Sequence, residues 1–477
     1  MIELDLKRIA KLVDGALLDC HGPNLGGLDC GDLVVTGSVE TDSRLIGSGS
    51  LFVAKPGEVT DGHNFLQQAK EAGAVAALVE REIPEVELPQ ILVKDCVIAL
   101  GLLAKAVLAL VRAETDLKVV GITGSNGKTT TKNMLRAILS TQGPTIAPIE
   151  SYNNEVGAPI SVLKVNRETA FLVAELGAGG PGSIAYLTDI VRPDIAVELK
   201  VGLAHAGEFG GIETTAQIKA ELLRGSAPAT LAVLNADDVA VRTMAQAFAG
   251  PKLWFGTSAE ADYRADSYQL TMAGTAFDLH WPDQAVNRVT LQILGEHHVM
   301  NALASAAVAD ALNVPRATII AALEAMPLAE RWRMQLTHRS DGVSIINDAY
   351  NASPDSSRAA LQTLAQLGRQ TGRRTVAIIG EMAELGEFSR EEHDKLGRLA
   401  VRLNIDLLVA VGPGAKLVYM GASFEGSFDG ESQYFESLAE ALPGVRGMLR
   451  GGDIVLVKSS KSANLRHLGD DLLEVSE

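Results

Sequence analysis

Ten consecutive residues, Gly121-Ile-Thr-Gly-Ser-Asn-Gly-Lys128-Thr-Thr130, carry the plainest chemistry in the chain. They follow an apolar run (Leu117, Val119, Val120) and open a helix-like stretch from Thr131 to Leu139. A strand, a glycine-rich turn and a helix N-terminus together hold a nucleoside triphosphate. Backbone N–H groups of Gly124, Ser125, Asn126 and Gly127 can point at phosphate oxygens, and the helix dipole favours the same negative charge. Lys128 adds a point charge for the β/γ-phosphates, and the Thr129 hydroxyl, followed by Thr130, is spaced to reach Mg²⁺. The strict pattern has glycine at position 122, where this chain has Ile122, so the element is a P-loop variant.

Three more polar groups lie where chemistry could use them. Glu175 ends an apolar strand pattern, and carboxyl ends of parallel strands face the ligand crevice of a doubly wound sheet, where a carboxylate can hold a metal. His205 follows the next strand, in a glycine-rich loop. Lys219 falls on one helical face with Ile212, Ala216 and Leu223, so it interrupts an apolar stripe in a helix expected over 212–224. Two readings stay open there: a stem that snorkels, or an amine driven neutral by desolvation. A neutral amine can take up CO₂ as a carbamate, an anionic oxygen ligand for a divalent ion.

These groups need a scaffold, and the alternation of apolar runs with helical periodicity supplies an α/β one. Residues 1–113 read as a small α/β domain, with helices at Phe65–Ala72 and Ile98–Arg112 and strands at Leu51–Ala54, Ala76–Val79 and Ile91–Val93. Ala113-Glu-Thr-Asp116 reads as a linker. Residues 114–325 read as a central P-loop domain, a doubly wound sheet with strands at Val119–Ile122, Ala170–Ala174, Ile195–Val197 and Leu231–Leu234. An antiparallel group is appended from Tyr263 to Ile293, and a helix runs from Val299 to Leu312. Residues 326–477 read as a Rossmann-like domain, with strands at Val343–Ile346, Val376–Ile379, Leu407–Val411 and Ile454–Val457 and helices at 355–367 and 389–403. At 477 residues the chain is too long for one core.

Composition narrows the partners. A net charge of −17 without a basic stripe argues against nucleic acid. Cys20, Cys30 and Cys96 lack metal-ligand spacing and fit a reducing compartment. The N-terminus mixes charges where a signal peptide needs an apolar core, and the apolar run Val97–Val111 is short for a membrane span. A soluble cytoplasmic protein is expected.

The motifs together resemble the Mur ligase family, the ATP-dependent amide-forming enzymes of peptidoglycan precursor synthesis. The resemblance rests on the P-loop string, Ser151-Tyr-Asn-Asn-Glu-Val-Gly-Ala-Pro159, the run from Glu175 to Leu187, His205, Ile218-Lys-Ala-Glu-Leu222, Asn235-Ala-Asp-Asp238, Gly295-Glu-His-His-Val-Met-Asn301 and Arg333-Met334. Asp42-Ser-Arg44, Leu51-Phe-Val-Ala54 and Asp61-Gly-His63 resemble the UDP-sugar module of the third and fourth ligases of that pathway. Ile346-Asn-Asp-Ala-Tyr-Asn-Ala-Ser-Pro354 and Gly380-Glu-Met-Ala-Glu-Leu-Gly386 resemble the fourth, and the Asp-Asn-Pro-Arg element expected of the third is absent. Lys458-Ser-Ser-Lys-Ser462 departs from a more usual Lys-Gly-Ser-Arg.

The resemblance implies addition of D-alanyl-D-alanine to UDP-N-acetylmuramoyl-tripeptide through an acyl phosphate, by a monomer using ATP. Lys128 and the turn amides would hold the phosphates. Thr129 and Glu175 would bind one Mg²⁺, and His205 with carbamylated Lys219 a second. His297 and Asn301 would lie near adenine, Asp348 at the ribose, and Arg333 at the phosphates or the hinge. Ser43, Arg44, Asn153, Asn154, Tyr350 and Asn351 would meet substrate. His393 and Asn313 read as structural. Hinges are expected near 113–116 and 326–333.

Overall fold

The computed structural model describes residues 1–18, 29–57, 60–148, 152–204, 206–326, 331–427 and 431–474. The chain forms two compact units. One comprises Met1–Thr123, Leu139–Val197 and Glu221–Leu231, and the other Gly124–Ile138, Glu198–Ala220 and Ala232–Glu477.

The first unit opens with a sheet in the order Ala16–Leu17, Gln90–Leu92, Ala74–Val79, Ser50–Val53, Val39–Glu40. The helix Cys96–Glu114 follows, its first turn capped by Asp95, whose carboxylate accepts from the Val97 and Ile98 N–H groups at 2.7 and 2.8 Å. It is long and apolar enough to cross a membrane by length and composition alone, so it outruns the stretch read from sequence. Half of it is buried in the protein, against the helices Gly157–Val162 and Ser183–Val191. The expected linker at 113–116 starts inside this helix, which closes at Thr115 with its hydroxyl donating to the Val111 carbonyl.

The same unit carries parallel strands in the order Thr145–Ile146, Phe171–Glu175, Lys118–Thr123, Ile195–Glu198. Phe171–Glu175 and Lys118–Thr123 are buried almost throughout, as their unbroken apolar sequence requires of a sheet covered on both faces. Their register sets Glu175 opposite Ile122, so the carboxylate stands at the strand end where the P-loop begins.

In the second unit the P-loop leads into the helix Lys128–Leu139. Strands Leu231–Asn235, Lys252–Gly256 and Tyr263–Thr271 run parallel, then Gly274–His280 and Val286–Leu291 turn antiparallel, as the alternating sequence predicts. The helix His297–Ala311 is buried along most of its length; its alanines let it lie close on Lys252–Gly256 and Tyr263–Thr271. A further sheet has the order Gln335–His338, Ser344–Asp348, Ile454–Lys458, Thr375–Ile379, Leu407–Val411, Ser432–Phe435, parallel except for its first strand. Its helix Pro354–Thr371 begins with a capping box on Ser353 and proline in the first turn, and ends at Gly372 in the left-handed region.

Two expectations are corrected. The single helix over 212–224 is two, Ile212–Lys219 and Glu221–Gly225, separated at Ala220. Ile212 is exposed, and the buried face of the first helix is Thr215, Ile218 and Lys219. Cys96 is a buried free thiol, while Cys30 is disulfide-bonded, a bond that number and spacing did not suggest.

Candidate active site

The P-loop needs its glycines. Gly124 and Gly127 have φ of +151° and +88°, values that L side chains avoid. A Cβ on Gly127 would also fall 2.3 Å from the Asn301 Oδ1, so the helix His297–Ala311 lies directly on the loop. The Ser125 N–H donates to the Lys200 carbonyl at 2.7 Å, and its hydroxyl both donates to the Gly202 carbonyl and accepts from the Gly202 N–H. The turn is therefore held from both sides before any phosphate arrives. The Lys128 Nζ donates to the Gly124 carbonyl at 2.7 Å, across its own turn.

Lys219 is buried, and the apolar surroundings pull its amine down to about 7, with the Lys128 charge pushing the same way. The neighbouring Glu198 carboxylate works in the opposite direction. Glu198 is itself fully buried, and burial lifts its carboxyl well above the ordinary range. Among the described residues neither of its oxygens has a hydrogen-bond partner.

Residues from the third sheet approach the same loop within the second unit. The Ser353 hydroxyl donates to the Asn126 Oδ1 at 3.1 Å, the Arg333 Nη2 stands 3.5 Å from the Thr129 Oγ1, and Lys200 pairs with Asp355 at 3.2 Å. Arg333 also lies over the Tyr350 ring, 4.3 Å from its centroid. Asp348 accepts from the Met334 N–H at 3.1 Å and pairs with the buried Lys458 at 2.7 Å. Lys458 also donates to the Asn351 carbonyl at 2.6 Å, tying the two expected ligand-binding positions to one cation. Thr129 is buried and Thr130 partly so.

Beside this cluster lies a cavity of about 340 Å³ lined by His297, Lys200, Asn235, Asp237 and Tyr268 among others. Burial pulls His297 down to about 4, against the opposite pull of Asp348, so the ring is neutral at pH 7. His298 stacks beside it with centroids 4.1 Å apart and is also lowered by burial.

Glu175, Asn153, Asn154, Ser43 and Arg44 belong to the first unit. Glu175 is buried and accepts from the Asn153 Nδ2 at 2.8 Å. Asn154 accepts from the Gly157 N–H at 2.8 Å, just before the helix Gly157–Val162. Ser43 donates to Gln68 at 3.0 Å. Arg44 is exposed and closes a two-pronged pair with Asp42. His205 lies outside the described residues. His393 is fully buried and accepts from the Met382 N–H at 2.9 Å, in keeping with its structural reading. Asn313 has a φ of +62° directly after the helix His297–Ala311, a backbone role suited to asparagine.

Among the described residues no three His, Cys, Asp or Glu side chains form a ready-made metal site. The orphaned oxygens of Glu198, the buried Lys219 amine and the Thr129 hydroxyl nevertheless suit a hard cation once the lysine becomes an oxygen ligand.

Three family models match the chain. One described as "Mur ligase family, catalytic domain" covers residues 36–107, "Mur ligase middle domain" covers 122–309, and "Mur ligase, glutamate ligase domain" covers 332–461. The UDP-N-acetylmuramoyl-tripeptide–D-alanyl-D-alanine ligase of Mycobacterium tuberculosis (strain ATCC 25618 / H37Rv) is 42% identical, over 99% of this chain and 98% of its own. The chain belongs to the Mur ligase family. The Bacillus subtilis (strain 168) ligase of the same name is 32% identical over 99% of both chains. Among solved structures, MurF from Acinetobacter baumannii has a TM-score of 0.87 at 32% identity, covering 99% of both chains. MurF ligase from Thermotoga maritima, in complex with ADP, has a TM-score of 0.80 at 27% identity, covering 92% of this chain and 98% of that one.

The α/β, three-domain reading of this Mur ligase therefore stands. Sequence reasoning gave no role to Glu198, Lys200, Lys458 or Ser353. Glu198 had a usable signal: like Glu175, it closes a short apolar strand, Ile195–Glu198. Ser353 had one too, since Ser-Pro before a helical stretch is a capping signature.

Proposed function

We propose that this Mur ligase joins D-alanyl-D-alanine to UDP-N-acetylmuramoyl-tripeptide through an acyl phosphate, using ATP, in cytoplasmic peptidoglycan precursor synthesis. The observation that carries the reading is 42% identity across essentially the whole chain to a ligase named for that reaction. Residues 1–113 would bind the UDP-substrate, 114–325 would bind ATP, and 326–477 would close over the nucleotide, all within a monomer. Ser43, Arg44, Asn153 and Asn154 are assigned to the UDP-muramoyl peptide, with Tyr350 and Asn351 near the reacting end.

A carboxylate is a poor electrophile, and phosphorylation makes it a good one. Its oxygen attacks the γ-phosphorus, the bond to the β-phosphate oxygen breaks, and ADP leaves. Lys128 and the loop amides stabilise the charge that gathers on the transferring group. The deprotonated D-alanyl-D-alanine amine then attacks the acyl carbon, and the tetrahedral intermediate expels phosphate to leave the amide. Catalysis is positioning and electrostatics, with no covalent enzyme intermediate. His297 and Asn301 would border the adenine, Asp348 the ribose, and Arg333 would bridge loop and phosphates. Ser353 and Arg333 touching Asn126 and Thr129 support a closure that keeps water from the acyl phosphate.

Thr129, Glu175, His205 and Lys219 would hold two Mg²⁺ ions, which when bound neutralise the phosphate oxygens. Lys219 is suited to carbamylation because its amine is desolvated. The nitrogen lone pair attacks CO₂, an N–C bond forms, and one proton leaves for solvent, giving an anionic carbamate.

The test is phosphate release from ATP with UDP-N-acetylmuramoyl-tripeptide, with and without D-alanyl-D-alanine, beside the dipeptide substrate with diaminopimelate or lysine. Release that requires D-alanyl-D-alanine is expected. Release only with the diamino acid would move the enzyme one step back in the pathway, and independence from every muramoyl nucleotide would overturn the reading.

A further inference from the structure

Glu198 has no part in the scheme above, yet it is the least satisfied charge-bearing group around the loop. It closes the strand Ile195–Glu198 with both carboxylate oxygens buried and unpartnered. Two groups face it electrostatically: the Lys219 amine from the helix Ile212–Lys219, and the Asp238 carboxylate. Asp238 offers no donor. It is an acceptor already engaged by the Val201 N–H at 3.1 Å and the Val241 N–H at 3.0 Å. Lys219 is close enough to feel the charge but makes no hydrogen bond to it.

Burying a carboxyl group without hydrogen-bond partners is unfavourable in either protonation state, and an apolar side chain would fill the position without that cost. The arrangement becomes favourable if a cation enters. A carbamate on Lys219 would set a second anionic oxygen group near Glu198, with the Lys128 charge nearby. Two facing anions of this kind repel unless a hard cation sits between them, and oxygen ligands are what Mg²⁺ takes.

We propose that Glu198 is a further carboxylate ligand, direct or through one water, of the divalent ion held by carbamylated Lys219. This rests on the carbamate reading of Lys219 above. It adds to the site a ligand that the motif-based set of Thr129, Glu175, His205 and Lys219 does not contain.

The test uses the full chain and Mn²⁺ as probe, with ADP and bicarbonate present, and reads free Mn²⁺ by electron paramagnetic resonance. Glu198→Gln is expected to weaken one Mn²⁺ by at least about 10-fold, since even outer-shell partners of a metal change its affinity by that much. Metal-free ADP affinity is expected to stay as in the unmodified chain. Glu198→Asp, which keeps the charge on a shorter arm, is expected to fall between, and it carries the test if the Gln variant does not fold. Unchanged Mn²⁺ affinity in both variants overturns the proposal, whatever happens to the melting temperature. If Lys219→Ala loses the ion while both Glu198 variants keep it, Glu198 is excluded and the carbamate reading survives. If Lys219→Ala also keeps the ion, the carbamate reading itself fails.

Discussion

In the N-terminal part of the molecule every charge singled out from the sequence meets its partner nearby. Arg44 is clasped by Asp42, and Asp61 accepts from Arg81 at 2.7 Å while holding the buried His63 at 2.6 Å, whose other ring nitrogen accepts from the Glu80 N–H. Around the P-loop some buried groups are left open. Among the described residues, Glu198 is buried with both oxygens unmatched, Lys219 is buried without pairing to it, and the Asn126 amide nitrogen has no partner. Closed local pairs hold backbone in place and ask nothing of a ligand. Buried groups left open lose free energy in the isolated chain and regain it when something charged arrives. By this contrast the buried open groups near the P-loop fit the proposed ion and phosphate site, while the N-terminal pairs are satisfied within the chain.

The contrast can be broken by substitution. The largest effects are expected around the P-loop. Lys128→Ala should lower kcat by about 10²–10³-fold or more, as loss of one charge-stabilising donor does. Lys219→Ala should do the same and be partly restored by short-chain carboxylic acids, read as phosphate release. Lys219→Met is the sharper probe. It keeps an apolar stem of similar length, so retained activity would return Lys219 to a packing role and remove the contrast.

The next effect is a pH dependence. The Lys219 amine, lowered to about 7, is protonated below that pH and free above it. Carbamylation needs the free amine, so activation of bicarbonate-depleted enzyme by added bicarbonate should fall away below pH 7 and grow above it. A bicarbonate response flat from pH 6 to 8 would count against the carbamate.

His297 gives a gentler slope. Its folded value of about 4 lies below the ordinary 6.5, so between those values the unfolded chain binds the proton and the folded one does not. Stability should therefore be full above pH 6.5 and decline as pH falls toward 4. His297→Gln should flatten that decline, seen as urea midpoints at pH 5 and pH 7, with the lowered His298 supplying the remainder.

The smallest effect belongs to the closed pairs. Arg44→Ala should raise KM for the UDP-substrate severalfold while kcat and the melting temperature stay put, because an exposed pair contributes little to folding. A large drop in melting temperature would show that the N-terminal pairs are structural supports after all.

Much of this was legible before any coordinates. Long apolar strands with turn chemistry around them were read within a residue or two, because burial on both faces forces an unbroken apolar run; Phe171–Glu175 and Leu407–Val411 are examples. Two-residue strands such as Ala16–Leu17 and Val39–Glu40 left no trace, since periodicity needs more positions than that. The burial of Lys219 was anticipated through a stripe that does not exist as drawn. Ile212 is exposed, and the helix breaks at Ala220 before Leu223 can share its face. Glu198 was lost by one residue, because the strand was read as ending at Val197 and an acid at a strand end looks like solvent. In the fold it is fully buried, with the Lys219 and Asp238 charges nearby.

In the proposed reaction the substrate carboxylate is activated as an acyl phosphate. The most direct measurement labels that carboxylate of UDP-N-acetylmuramoyl-tripeptide with ¹⁸O, runs the reaction with ATP and D-alanyl-D-alanine, and weighs the released phosphate. One ¹⁸O atom per phosphate is predicted, because the carboxylate oxygen that attacks phosphorus leaves with it. Phosphate free of label, alongside amide product, would contradict the account.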